Sequence, residues 1–169
     1  MPEDAGEPTP GRSGRSLTGF YIALGVVAAL VGLGAWLWTP ARIWHYERQF
    51  RAAKTKSDLH AAAEKLGDVG PRALPAFKRL LQSEDYANRA SVLHSGLGRP
   101  GHTWALPLIV ETARDSDDTI AQDAIWAAED VLGKRWVFGA QHLEYVPEAR
   151  RSLLAWWERE GRAKYGAKE

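Results

Sequence analysis

The side chains that could do chemistry near neutral pH are few. The chain holds five histidines, His45, His60, His94, His102 and His142, and no cysteine. Without cysteine there are no disulfides, thiolate metal sites or thiol nucleophiles. The histidines form no H-E-x-x-H and no i, i+4 pair of the kind that holds zinc. His94 and His102 can approach each other across one turn, and His142 stands two residues from Glu144. Acidic residues cluster at Glu84-Asp85 and at Asp115, Asp117 and Asp118. Both clusters precede helical patterns, where carboxylates cap free amides and complement the helix dipole. Gly96 to Gly101, GLGRPG, matches G-x-G-x-x-G. A dinucleotide fingerprint follows a strand and opens a helix. Here a helical pattern precedes the glycines and Pro100 interrupts them, so they read as a helix stop and a turn. Ser91 and Ser95 lie on a helical pattern rather than on the strained elbow of a serine nucleophile. The expectation is a non-catalytic chain without metal or cofactor.

The elements around these residues divide the chain of 169 residues into five parts. Residues 1–16 are loose, rich in proline and acids, and read as a disordered arm. Residues 17–38 contain FYIALGVVAALVGLGAWLW, Phe20 to Trp38, which has no charged residue. As a helix this run is roughly 29 Å long, close to a hydrocarbon core. No A-x-A cleavage site follows it, so the expectation is a retained single-pass transmembrane helix. Phe20 and Tyr21 at one end, and Trp36, Trp38 and Trp44 at the other, are the expected interface anchors. Gly25/Ala29 and Ala28/Gly32 are small i, i+4 pairs through which two such helices could associate. Residues 39–56 carry Arg42, Arg48, Arg51, Lys54 and Lys56 against Glu47 and read as a basic juxtamembrane helix. By the positive-inside tendency they place the C-terminal part in the cytoplasm. Residues 57–169 hold 15 basic and 17 acidic side chains. That balance excludes a nucleic-acid domain working by phosphate neutralisation.

A period then emerges. Leu66-Gly67, Leu97-Gly98 and Leu132-Gly133 close successive helical patterns. Leu74-Pro75 and Leu106-Pro107 open others, and Asp85 and Asp117 stand at equivalent places. Helix pairs are expected at 57–66 with 72–82, 86–97 with 103–114, and 118–132 with 147–160. Ser57 is the expected N-cap of the first. One face of each is apolar, as in Leu59/Ala62/Ala63/Leu66, Tyr86/Ala90/Leu93/Leu97 and Ile120/Ala124/Ala127/Val131. Recurrence at this spacing signals stacked helical hairpins, none of which can bury its apolar face alone.

The pieces AAAEKLGDVGPRALPAFKRLLQSED, NRASVLHSGLG, WALPLIVETARDSDD and AIWAAEDVLG resemble HEAT-like α-helical repeats. The resemblance spans 57–161, with ARRSLLAWWEREG similar to a terminal cap and 162–169 left as a tail. Gln122 stands where the family motif would have arginine, and KRWVFGAQHLEYVP is an irregular insertion. The implied fold is all-α, a transmembrane helix followed by a short α-solenoid. The implied function is a membrane-anchored scaffold that binds a protein partner, with the second helix of each pair on the concave side. Arg72, Lys78, Arg79 and Trp104 are the candidate partner-binding residues, with Glu111 beside them. The lipid bilayer and a second copy of the chain are the further partners expected. Two other readings are an accessory subunit of a larger membrane or envelope complex and an enzyme built on His142 and Glu144.

Overall fold

Three Pro-containing steps set the architecture. Each second helix of a pair is entered through a three-residue 3-10 turn, at Pro71–Ala73, Thr103–Ala105 and Leu143–Tyr145. Each turn runs directly into an α-helix with proline in its first turn, Pro75, Pro107 or Pro147, where the missing N–H costs nothing. The third of these entries, Val146-Pro147, repeats the Leu-Pro step inside a stretch that reads from sequence as irregular.

The structure, a computed structural model, describes residues 17–134 and 137–166, without the side chains of residues 17–19, 31, 33 and 35–37. The expected arm at 1–16, the Trp36 side chain and residues 167–169 of the expected tail lie outside the described residues. Eight α-helices follow in order: α1 Leu17–Ala52, α2 Lys56–Gly67, α3 Leu74–Leu80, α4 Tyr86–Ser91, α5 Leu106–Thr112, α6 Asp118–Leu132, α7 Val146–Trp156 and α8 Arg162–Tyr165. Two π-helical turns, Val92–Leu97 and Trp157–Gly161, extend α4 and α7. The chain falls into two units, Met1–Trp38 and Thr39–Glu169.

The first unit corrects the expected fold class. Among the described residues no helix is long and apolar enough to cross a membrane. The transmembrane helix over 17–38 and the single-pass membrane description are therefore set aside. Lipid contact and self-association through that helix rest on the same span. Nor does Pro40 open a new element, because it lies inside α1.

In the second unit, α1 from Thr39 onward is tied to the core. Phe50 is buried, and Ile43 and Tyr46 pack against the core from the same face. The helix that follows starts one residue earlier than expected, at Lys56, and its N-cap is Thr55 rather than Ser57. Thr55 is extended and its hydroxyl accepts from the Asp58 amide at 3.2 Å while donating to the Asp58 carboxylate at 2.8 Å. This exchange satisfies the Asp58 amide, which precedes the amides that Ser57 could reach as a cap. Asp85 and Asp117 cap α4 and α6 as their position implies, accepting from the Ala87 amide at 2.8 Å and the Thr119 amide at 2.9 Å.

The first helices of successive pairs pack on one another. α2 packs on α4 and its π-turn, these pack on α6, and α6 packs on α5 and α7. Leu66, Phe77, Leu93, Leu97, Leu106, Ile109, Ile120, Ile125 and Leu153 are fully enclosed in one continuous core. Small residues set the closest approach. A Cβ on Gly67 would stand 2.5 Å from the Gly96 carbonyl oxygen, and one on Gly96 would stand 2.6 Å from the Phe77 ring. Two backbones thus meet where Leu66-Gly67 crosses the π-turn, and the Phe77 ring closes over them. Gly133 ends α6 at φ +65°, a left-handed cap favouring glycine.

Candidate partner-binding surface

α3, α5 and α7 carry the surface to which the expected partner-binding residues belong. Their apolar sides, including Ala76, Phe77 and Leu80 on α3 and Ile109 and Val110 on α5, are buried in the core. The polar residues between them are thereby turned outward.

All four expected residues have partners within the chain. The Arg79 guanidinium donates to both carboxylate oxygens of Glu47, at 3.2 and 2.5 Å. Arg51 reaches the same Glu47 at 3.0 Å. The hydrogen bond from Arg79 holds the Glu47 carboxyl below its ordinary value against the opposing effect of its partial burial, with Arg51 assisting. Arg72 donates to the Thr39 hydroxyl at 3.4 Å. Lys78 pairs with Glu111 at 3.2 Å, both side chains remaining exposed. Trp104 is half-buried and stacks on Phe77, with the His102 ring 5.1 Å from its own. The four are thus one surface only in the sense that they lie on or just before second helices. Arg72 and Arg79 tie the end of α1 to α3, and Lys78 ties α3 to α5.

A register runs through these pairs. Glu47–Arg79 and Asp118–Arg150 each join residues 32 apart, and Lys78–Glu111 joins residues 33 apart. Of these, Lys78–Glu111 links the second helices of neighbouring pairs, Glu47–Arg79 links α1 to α3, and Asp118–Arg150 lies within the third pair. Asp118 meets Arg150 at 2.7 Å, linking the start of α6 to α7.

The ladder of charge continues beyond the expected residues. Arg114, just after α5, reaches Glu158 at 3.8 Å, and Glu158 pairs with Arg162 of α8 at 3.1 Å. Between α5 and the C-terminal helices lies a groove of about 650 Å³, bordered by Pro107, Val110, Glu111, Arg114, Trp157 and Arg162. Sequence reasoning passed over Arg114, Glu158 and Arg162. The i, i+4 spacing of Glu158 and Arg162 was the one visible sign of a pair.

The opposite side, made by first helices, carries a second cluster. Asp123 of α6 is buried, and its two oxygens accept from the Tyr86 hydroxyl at 2.9 Å and bond His94 Nε2 at 3.0 Å. Burial, together with the bond to Asp123, raises the Tyr86 phenol above its ordinary value. Tyr86 therefore does not belong to the apolar face expected of it; its ring is exposed and its hydroxyl works. His94 turns toward Asp123 and Trp126, while His102 Nδ1 donates to the Gly96 carbonyl at 3.3 Å, so the two histidines serve different neighbours. His60 bonds the Ser95 hydroxyl at 2.6 Å. His142 and Glu144 are exposed at the 3-10 turn before α7, His142 beside Tyr145. Among the described residues no group of three or more His, Asp or Glu is placed to hold a metal ion.

The expected interface anchors Phe20, Tyr21, Trp38 and Trp44 are all exposed. Trp44 has the Arg48 guanidinium 5.4 Å from its ring centre. Gln122, the departure from the repeat motif, is buried and donates to the Ala140 carbonyl at 3.1 Å.

Family models, curated proteins and solved structures were each compared with this chain, and none matches it.

Proposed function

We propose that this chain is a non-catalytic helical-repeat scaffold whose second helices, α3, α5 and α7, bind a protein partner. The observation that carries the reading is the Lys78–Glu111 pair, which joins the second helices α3 and α5 of neighbouring helix pairs side by side. Second helices joined side by side build an extended surface from a repeated unit, the arrangement by which α-solenoids recognise other proteins. The resemblance of 57–161 to HEAT-like repeats supports the same reading and implies a partner on the second helices.

A photo-crosslinking residue placed singly at Lys78 and Arg114, and for comparison at Lys65 and Glu84 outside the second helices, tests it. Crosslinks to one protein that are saturable and confined to Lys78 and Arg114 are expected. Crosslinks equally frequent from Lys65 and Glu84, or none from any position, would overturn the reading.

A further inference from the structure

From Thr39 onward α1 buries one side and bares the other. Ile43, Tyr46 and Phe50 face the core. Helical spacing turns Trp44, Arg48 and Arg51 to the opposite side, where all three are exposed. Lys54 and Lys56, exposed where α1 gives way to α2, continue the same sign of charge. Residues 39–56 hold one carboxylate, Glu47, which is largely shielded and taken up by Arg79 and Arg51. The next along the chain, Asp58, bonds the Thr55 hydroxyl and borders the same depression as Lys65. Among the described residues no carboxylate stands within ion-pair distance of Arg42, Arg48, Lys54 or Lys56. Arg48 lies instead over the Trp44 ring, 5.4 Å from its centre, and Arg42 over that of Tyr46 at 5.7 Å. The outward side of this segment is thus cationic, with an exposed tryptophan and no opposing acid.

We propose that this face receives an acidic segment of the protein partner, its carboxylates on Arg48, Lys54 and Lys56 and its chain against the Trp44 ring. This rests on the scaffold reading for the class of partner and adds a contact outside the second helices. Two features separate this occupant from other polyanions. A lipid surface takes up a helix by its apolar stripe, and the stripe of this segment is already buried in the core. A nucleic-acid duplex calls for a cationic field wider than one helix face, whereas residues 57–169 carry 15 basic and 17 acidic side chains. Tryptophan and arginine side by side are, in turn, the residues that dominate binding between proteins.

The test uses the full chain and a fluorescein-labelled peptide of alternating glutamate and leucine, read by fluorescence anisotropy. A Gln/Leu peptide of equal length is the comparator, and duplex DNA, phosphatidylserine vesicles and the unlabelled Glu/Leu peptide are the competitors. The Glu/Leu peptide is expected to bind and the Gln/Leu peptide not, with binding that weakens as salt rises. Arg48→Gln with Lys54→Gln is expected to weaken it about fivefold or more, as for two solvent-exposed charge pairs. Both side chains are exposed, so the fold is kept. Lys134→Gln with Lys164→Gln removes as much charge from exposed positions elsewhere and is expected to leave binding unchanged. Trp44→Ala is expected to weaken it several-fold, an effect that attraction between charges alone does not give. Equal weakening by the Lys134 and Lys164 substitutions, indifference to Trp44→Ala, or stronger competition by DNA or vesicles than by the unlabelled peptide would overturn the proposal, even where the crosslinks from Lys78 and Arg114 stand. Peptide binding that follows the substitutions, with no saturable crosslink from Lys78 or Arg114, would overturn the scaffold reading and leave this side of α1 an acid-binding face.

Discussion

The Tyr86 hydroxyl and the Asp123 carboxylate, 37 positions apart, are joined by a 2.9 Å hydrogen bond between the first helices of the second and third pairs. Asp123 is buried, and Tyr86 and His94 supply its side-chain bonds across the two helices. A buried carboxylate robbed of a donor is costly, more so than the average value of the bond lost. Tyr86→Phe is expected to destabilise the second unit by about 1.5–3 kcal/mol, measured as the urea midpoint at constant m. The raised phenol sets the pH dependence. Its folded form holds the proton more tightly than the unfolded form, so its contribution is complete below the ordinary tyrosine range near 10 and fades as pH climbs through the folded value. Wild type and Tyr86→Phe should therefore converge in stability at alkaline pH; a constant gap would mean that the phenol does not titrate with folding.

Gly96 is the tightest test of packing. An added Cβ would lie 2.6 Å from the Phe77 ring and 3.3 Å from the Ala63 carbonyl oxygen, and both neighbours are fully buried. Overpacking of this kind costs about 1–3 kcal/mol, so Gly96→Ala should lower the thermal midpoint by several degrees. Gly101 is the control. Its φ of +84° makes alanine strained, but open space surrounds it, so the cost there is backbone conformation alone, about 1 kcal/mol. If Gly96→Ala also repacks Phe77, the tryptophan emission of Trp104, which stacks on that ring, should shift with it.

What could be read in advance follows from which signals are local. The core did not depend on tertiary context. Leu59, Ala62, Ala63 and Leu66 recur at helical spacing and all lie inside. Asp85 and Asp117 precede apolar runs and cap them. Tyr86 broke the pattern because an aromatic ring fits an apolar stripe by size, while its hydroxyl had a buried acid to find 37 residues later, a fact no window of sequence contains. The stretch 134–147 looked irregular for the same reason. Glu129 accepts the Phe138 amide at 2.9 Å, and Gln122 and Trp126 both donate to the Ala140 carbonyl, at 3.1 and 2.8 Å. These long-range bonds from α6 satisfy a loop backbone that lacks its own ladder. The partner-binding residues were found by residue type and helix position, which locate a face. They do not reveal that Arg79 is committed to Glu47 or that the less crowded charges lie further along, at Arg114 and Arg162.

The Glu47–Arg79 pair gives the acid counterpart of the Tyr86 prediction. Glu47 is largely shielded and holds Arg79 through two bonds, whereas Arg79 is about half exposed, so solvent screens part of their attraction. The pair lowers the folded value of the Glu47 carboxyl. A lowered acid contributes stability above the ordinary carboxylate range near 4, and that contribution is lost as pH falls through the folded value. Glu47→Gln removes the charge but keeps the length of the side chain. At neutral pH the variant should be less stable than wild type by about 0.5–1 kcal/mol, the scale of a partly exposed ion pair. On acidification wild type should lose that advantage and the two unfolding curves should meet. Raising salt at neutral pH should narrow the same gap, because the exposed half of the pair is screened. The end of α1 is held to α3 by this contact and by Arg72 on Thr39, so Arg72→Ala in the Glu47→Gln background should expose Phe50, read as faster amide exchange from residues 43–52 with the α5–α7 amides unchanged. Uniform acceleration across all helices would instead mean that the end of α1 is part of the same cooperative unit.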